Sequence, residues 1–322
     1  MKDEIFSRLK LRQLNVLLSV MHWGSMARAA DHLSVTQPVV SKTIAELESL
    51  LGVSLFDRTS QGVEPTMYGR ALARRSIALL NDLRTSVGEL EGLADPSAGE
   101  LRIGTTEPMA AGLVSKIISE LLQDHPRVTL HVILGDPPSL QERELHDREI
   151  DLVIGRLPND VAADHIQLEV LFWERAFVVA GANHELARRR KIKLADLMKE
   201  AWCLPPPQSF PGSLIGRAFR AGGLEVPRTC VSVHSIQMQN ALLATGRFIT
   251  ILPETMMRFS AQRLGLKALP VHLPIEPTPV AIVTLKNREL PPVGKLFIER
   301  ARSVAASLAK RTEQSAHPPP RR

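Results

Sequence analysis

SMARAADHLSVTQPVVSKTIAELESLLGVSLFDR, residues Ser25 to Arg58, decides the fold of the N-terminal part of the chain. Thr36 is a residue type that caps helices, and Pro38 follows within a first turn whose amide hydrogens have no intrahelical partner. A helix therefore starts at this point. Val40, Ile44, Leu47 and Leu51 recur at spacings of four, three and four, which sets them on one stripe that must face a core. The opposite stripe carries Pro38, Lys42, Ala45 and Ser49, with Gln37 and Ser41 beside it near the N-terminus. Those groups are small or form hydrogen bonds, so they allow close approach to another surface, and a helix with such a face fits a major groove.

Upstream, Leu11, Leu14, Leu18 and Met21 form another helical stripe, which Gly24-Ser25 ends. A compact run with Ala27, Ala29, Ala30 and Leu33 follows, and its small residues permit close helix packing. Taken alone, the pattern fits equally an ordinary three-helix packing unit that never meets nucleic acid. The whole block, however, resembles the N-terminal domain of LysR-type transcriptional regulators. The matching positions are Ala29-Ala30, Leu33, Thr36-Gln37-Pro38, Ser41, Ile44, Leu47-Glu48, Leu51-Gly52, Leu55-Phe56, Arg58, Thr66 and Gly69. Thr36 stands where Ser is commoner, Val39 where Ala is usual and Asp57 where Glu is usual, departures that bear on base preference. The resemblance implies promoter DNA as the partner of Arg28, Thr36, Gln37, Pro38, Ser41, Lys42 and Arg58. It also implies a homodimer or homotetramer, RNA polymerase as a further partner, and neither enzymatic activity nor a cofactor.

Phe56 to Pro65 contains Gly62 and alternating polar positions, as a two-stranded wing would, and Thr66 is placed to cap the next helix. From Met67 to Ala94 the composition is continuously helical. Leu80, Leu83, Val87, Leu90 and Ala94 alternate at three and four, a short coiled-coil seam that a second copy would bury. The expected organisation is a winged helix-turn-helix over 1–66, a linker and dimerisation helix over 67–95, an effector-binding domain over 96–309 and a disordered, Pro-rich tail over 310–322.

After the hinge-like Asp95-Pro96-Ser97-Ala98-Gly99, strands and helices alternate. Strands at Leu101–Gly104, Val128–Leu134 and Asp151–Gly155 enclose helices, which reads as a βαβαβ unit with a parallel sheet. A second set runs through Ala176–Ala180, Ala201–Leu204, Thr229–Val233 and Phe248–Leu252. The strand near Val280–Leu285 and the helix after Pro292 return to the first lobe. The fold class is therefore α/β, and the two lobes resemble the periplasmic-binding-protein-like effector domain of the same family. LFDRTSQGVEPTMYG and IDLVIGRLP are similar to the GbpR-like, sugar-responsive subgroup, which implies a sugar or small carboxylate as effector.

Ligands of open α/β sheets collect at the carboxyl ends of strands. The loops that qualify place Thr105, Thr106, Ser209 and Ser235 as candidate effector contacts, with Arg156 as a carboxylate binder. Simple helix capping accounts equally well for each hydroxyl, and a salt bridge for Arg156. Glu107 argues against a strongly anionic ligand. A solute-binding module without a transcriptional role is the alternative, but it leaves residues 11 to 69 without a purpose.

The formal charge of +6 resides at the C-terminus. Segments 1–95 and 96–285 are each balanced, with 11 and 20 residues of either sign, whereas 286–322 carries 9 basic and 3 acidic residues. Net basicity is thus no argument for DNA binding, and Arg12, Arg28, Lys42 and Arg58 have to attract phosphate by local placement. Cys203 and Cys230 lie in apolar, strand-like contexts and read as buried thiols. No GxSxG, P-loop, HExxH or GxGxxG motif is present, and the ten histidines show no ligand spacing. With no long apolar run and no signal-peptide core, the chain is expected in the cytoplasm and not in a membrane.

Overall fold

The computed structural model describes residues 7–59, 62–94, 98–136, 139–140, 145, 147–157, 165–286 and 288–316. The chain divides into two compact units, residues 1–88 with 146–149, and residues 89–145 with 150–322.

In the first unit, α1 (Leu11–Trp23), α2 (Met26–His32) and α3 (Gln37–Leu51) precede an antiparallel wing of β1 (Phe56–Thr59) and β2 (Gly62–Pro65), and α4 (Met67–Ala94) follows. Gly24 ends α1 and Gly52 ends α3, each in the left-handed region that a residue without Cβ adopts freely. Ser25 caps α2 by accepting from the Arg28 amide. Val40, Ile44 and Leu47 are buried with Leu17, Val20, Ala29, Ala30 and Leu55, as the α3 stripe requires. On α1 the buried face is Leu14, Val16, Leu17 and Val20, whereas Leu11 is exposed. The expected Leu11-Leu14-Leu18-Met21 stripe is therefore displaced, because α1 packs against both α2 and α3 and buries a sector wider than one row.

The wing is set by Glu48, whose Oε1 accepts from the Leu55 amide at 2.6 Å and the Phe56 amide at 3.2 Å. Thr66 then caps α4 by accepting from the Gly69 amide, while its hydroxyl donates to the Ser54 carbonyl at 2.7 Å. A Cβ on Gly69 would lie 2.2 Å from the Leu55 carbonyl oxygen, so the start of α4 approaches the wing only with glycine there.

Among the described residues the second unit holds two five-stranded sheets. One runs β4 (Arg127–Leu134), β3 (Ala98–Thr105), β5 (Leu152–Arg156), β12 (Thr278–Leu285), β6 (Ile166–Glu174), with β3 parallel to both β4 and β5. Asp151 ties this sheet together: it accepts from the Arg102 amide at 2.8 Å and from Arg288 Nη2 at 2.7 Å. The other sheet runs β11 (Leu266–Ala268), β7 (Ala176–Gly181), β10 (Phe248–Pro253), β8 (Ala201–Leu204), β9 (Thr229–Ser232). Helical cover comes from α5 (Ser115–Asp124), α6 (Phe210–Ala221), α7 (Ile236–Ala244), α8 (Glu254–Phe259), α9 (Ala261–Leu264) and α10 (Pro292–Ala316). Glu107–Met109 and a π-helical turn at Ala110–Val114 lead into α5.

Chain return is as the sequence suggests, since β12 pairs with β5 and α10 packs on α5 and β3. Four points differ. Strand β6, absent from the sequence reading, pairs antiparallel with β12 and is held to α10 by Arg302 forked onto Glu169. Ala98-Gly99 already belong to β3, so they are not hinge, while 95–97 lie outside the described residues. Most of the helix expected around Leu140 also lies outside them. The tail expected from Lys310 continues α10 to Ala316, a run of good helix formers, and 317–322 are outside the described residues. Cys203 is buried, which pushes its thiol up, but Cys230 is exposed at the register shift between β8 and β9 and is not a core thiol. Among the described residues no helix is long and apolar enough to cross a membrane.

Replacing Glu48 by Ala removes the acceptor from two amides beneath the wing and is expected to lower stability by about 1–3 kcal/mol, whereas Glu48→Gln retains an acceptor and loses less. Denaturant titration of the full chain measures the difference, and equal losses in the two variants would contradict the role given to Glu48.

Candidate nucleic-acid interface and interlobe cleft

On α3, burying Val40, Ile44 and Leu47 turns Gln37, Pro38, Val39 and Lys42 to solvent, with Ser41 half-buried between the faces. Thr36 occupies the N-cap position, but its hydroxyl caps nothing and is exposed. Thr43 spends its hydroxyl on the Val39 carbonyl at 2.8 Å, so it stabilises the helix instead of extending the polar face. Lys42 Nζ stands 3.9 Å from Glu46 with both side chains largely exposed, a loose pair that a phosphate can replace. Arg12 and Arg28 are exposed, and Arg58 lies in β1 opposite Val63. A helix with a free polar face beside a two-stranded wing has the parts needed to read a groove and hold phosphates.

Glu48 is the residue of this unit whose role the motif does not reveal. It belongs to the Leu47-Glu48 match, yet its work is to hold backbone amides at the root of the wing.

In the second unit the five candidate cleft residues separate. Thr105 is fully buried and its hydroxyl donates to the Ile154 carbonyl at 2.7 Å, so it belongs to the sheet and is no cleft hydroxyl. Thr106 is half-buried at the N-cap of Glu107–Met109 with no capping bond. Ser235 caps α7 by accepting from the Met238 amide at 3.3 Å. The loops of Thr106 and Ser235 do meet, because Glu107 Oε1 accepts from the Gln237 amide at 3.4 Å. Ser209 caps α6 and donates to the Pro206 carbonyl, so both of its hydrogen-bonding roles are local.

Arg156 is held inside the chain. Its Nε lies 3.6 Å from Glu174 Oε2, and the Glu174 side chain is wholly buried. The other oxygen, Oε1, accepts from the Thr255 amide at 2.9 Å and the Thr255 hydroxyl at 2.6 Å, at the start of α8. Burial pushes the Glu174 carboxyl up, opposed by Arg156 and by the Thr255 hydrogen bonds. Burial likewise lowers the Arg156 guanidinium, opposed by Glu174. This links the end of β6 in one lobe to α8 in the other. A second link is the Ser260 hydroxyl donating to the Ala111 carbonyl at 2.8 Å, beside Gly112, where a Cβ would stand 3.3 Å from the Met256 amide nitrogen. Neither Glu174 nor Thr255 is anticipated from the sequence; the only signal was a charged pair, Glu174-Arg175, interrupting the apolar run VLFWERAFVVAG. Among the described residues no His, Cys, Asp or Glu cluster is suited to a metal ion.

The family of LysR substrate binding domains matches residues 94–306, and the lysR family of bacterial regulatory helix-turn-helix proteins matches residues 11–70. The HTH-type transcriptional regulator GbpR of Azospirillum brasilense is 30% identical over 97% of this chain and 91% of its own length. GbpR of Rhizobium radiobacter is 28% identical over 78% of this chain and 83% of its own. In fold the chain is similar to full-length CbnR, crystallised with its target DNA, with TM-score 0.70, 24% identity and coverage of 92% of this chain and 100% of that one.

Arg156→Met is expected to cost about 3–5 kcal/mol by leaving a buried carboxylate uncompensated, and adding Glu174→Gln recovers much of this while keeping an acceptor for Thr255. Because the folded-state pKa of Glu174 is raised, protonation relieves the single variant at low pH, and its deficit grows as pH rises through that pKa. Denaturation of the two variants across pH tests both statements; additive losses, or a deficit independent of pH, would contradict them.

Proposed function

The chain belongs to the LysR family of bacterial transcriptional regulators, and from that premise we propose that it binds promoter DNA through Gln37, Ser41 and Lys42 as a dimer or tetramer and answers to a small effector between its lobes. The observation that carries the DNA reading is the exposure of Gln37, Pro38 and Lys42 opposite the buried Val40-Ile44-Leu47 stripe. Gln37 and Ser41 address base edges, and Lys42, Arg28 and Arg58 address phosphates. Thr36 and Pro38 set the start of the helix against the groove.

Oligomerisation is supported by α4. Leu79, Leu83, Val87 and Leu90 are 48%, 45%, 48% and 68% exposed, an apolar row that a monomer leaves in water. The row begins at Leu79; Leu80, the expected first member of the seam, is half-buried. A second copy of α4 covers such a stripe.

Thr106 and Ser235 are the hydroxyls best placed for the effector, since Glu107 and Gln237 bring their loops together. Arg156 serves this site indirectly, through Glu174. The relationship to GbpR supports a sugar, or a small carboxylate able to displace Glu107. The regulator acts in the cytoplasm on RNA polymerase at its promoter.

In gel shifts on specific and scrambled DNA, Gln37→Ala or Ser41→Ala is expected to weaken specific binding by about 1–3 kcal/mol. Lys42→Ala is expected to weaken binding to both DNAs and to flatten the salt dependence by about one unit of slope. Unchanged binding in all three variants would remove α3 from the groove.

Sedimentation of the full chain tests the α4 row. Leu83→Glu with Leu90→Glu is expected to shift the protein toward monomer by placing charges in the seam. A monomeric wild type, or a variant as oligomeric as wild type, would assign α4 another role.

A further inference from the structure

A cavity of about 710 Å³ lies between α6, Leu157 just beyond β5 and the crossing segment Pro274–Thr278. It shares no lining residue with Thr106, Ser235 or the Arg156–Glu174 pair. Its size falls in the range of sites for small organic ligands. Leu157, Phe210, Leu214 and Ile275 give it apolar walls drawn from both lobes and from the segment joining them. Leu157 is held in place by its amide, which donates to the Pro279 carbonyl at 3.1 Å.

Among the described residues the charged groups on this cavity are two cations and one anion. Arg217 and Arg220 line it from adjacent turns of α6, against Glu276 as the one acidic residue among the described lining residues. Two cations three positions apart on a helix repel each other unless an anion lies between them. Among the described residues neither guanidinium has an ion-pair or hydrogen-bond partner, whereas those of Arg156, Arg288, Arg300 and Arg302 all have carboxylate partners. Gly216 gives Arg220 room to lie along the helix: a Cβ there would stand 3.3 Å from Nη1 and 3.4 Å from Nη2. Guanidinium forks match the planar, two-oxygen shape of a carboxylate better than they match a neutral polyol.

We propose that this cavity is a second ligand site, taking an apolar monocarboxylic acid, aromatic or medium-chain. The hydrocarbon body rests on Leu157, Phe210, Leu214 and Ile275, and the carboxylate lies on Arg217 and Arg220. Because its walls come from both lobes and the crossing segment, occupancy fixes their relative position independently of the cleft.

The test uses the full chain with octanoate and benzoate as probes and octanamide and benzamide as neutral counterparts, read by calorimetry and thermal shift. At least one of the acids is expected to bind saturably, and its amide about tenfold or more weakly. Arg217→Gln with Arg220→Gln is expected to weaken acid binding by a similar factor while leaving the unliganded melting temperature unchanged, since both side chains are exposed. Ser213→Trp, which fills the cavity from an exposed position, is expected to block the acid, and Thr106→Trp to leave it unaffected. Any one of four results overturns the proposal: no saturable binding of either acid, equal binding of acid and amide, binding insensitive to the arginine and Ser213 variants, or binding blocked by Thr106→Trp. The last would move the acid into the cleft and leave the cleft reading intact.

Discussion

Burial of Val40, Ile44 and Leu47 against α1 and α2 is the contact on which the N-terminal unit depends. Each fully buried aliphatic side chain contributes about 1.5–3 kcal/mol, and three on one stripe are enough to fix the rotation of a short helix about its axis. Once that rotation is fixed, the opposite face is no longer free to vary. Gln37, Pro38 and Lys42 must point outward, and the start of α3 becomes an exposed polar edge. The wing follows from the same helix, because Glu48, one position beyond buried Leu47, accepts from the amides of Leu55 and Phe56 and starts the chain into β1.

The same device recurs in the second unit, where carboxylates hold backbone amides at places the sheets alone do not fix. Asp151 accepts from Arg102 within one sheet. Glu174 accepts from Thr255 and Glu107 from Gln237, each joining a strand end or loop of one lobe to a helix start in the other. A negative group at a helix N-terminus satisfies an orphan amide and opposes the positive end of the helix dipole. Glu107 therefore occupies at α7 the position an anionic ligand would seek, which is why the effector proposed for this cleft is a neutral hydroxylated molecule, or an acid able to displace a resident carboxylate. The cavity beside α6 differs, with two arginines, one glutamate and apolar walls among its described lining residues.

Period and punctuation made much of this legible in the sequence. The α3 stripe, the Gly24 stop, the Thr66 cap and the parallel strands β3, β4 and β5 all follow from local pattern, because each is written in residues close in the chain. What escaped depends on distant partners. Strand β6 is an edge strand with an irregular burial pattern, visible only once β12 pairs with it. Thr105 has the same type and loop position as Thr106, and only the neighbouring strand, which takes its hydroxyl at Ile154, distinguishes them. Arg156 reads as a carboxylate binder and does face one, but the carboxylate is Glu174 of the chain itself. Cys230 lies in a strand, yet the register shift at the sheet edge exposes it.

The central claim, that the exposed face of α3 and the adjoining wing form the DNA contact, is tested most directly by backbone hydrogen exchange with and without promoter DNA, resolved by peptide. Exchange is expected to slow in peptides covering Thr36–Ile44 and in those covering β1 and β2, with little change in α1, whose buried face already packs against the core. A complex that forms while exchange in both the α3 and wing peptides stays unchanged would contradict the account and place the DNA on another surface.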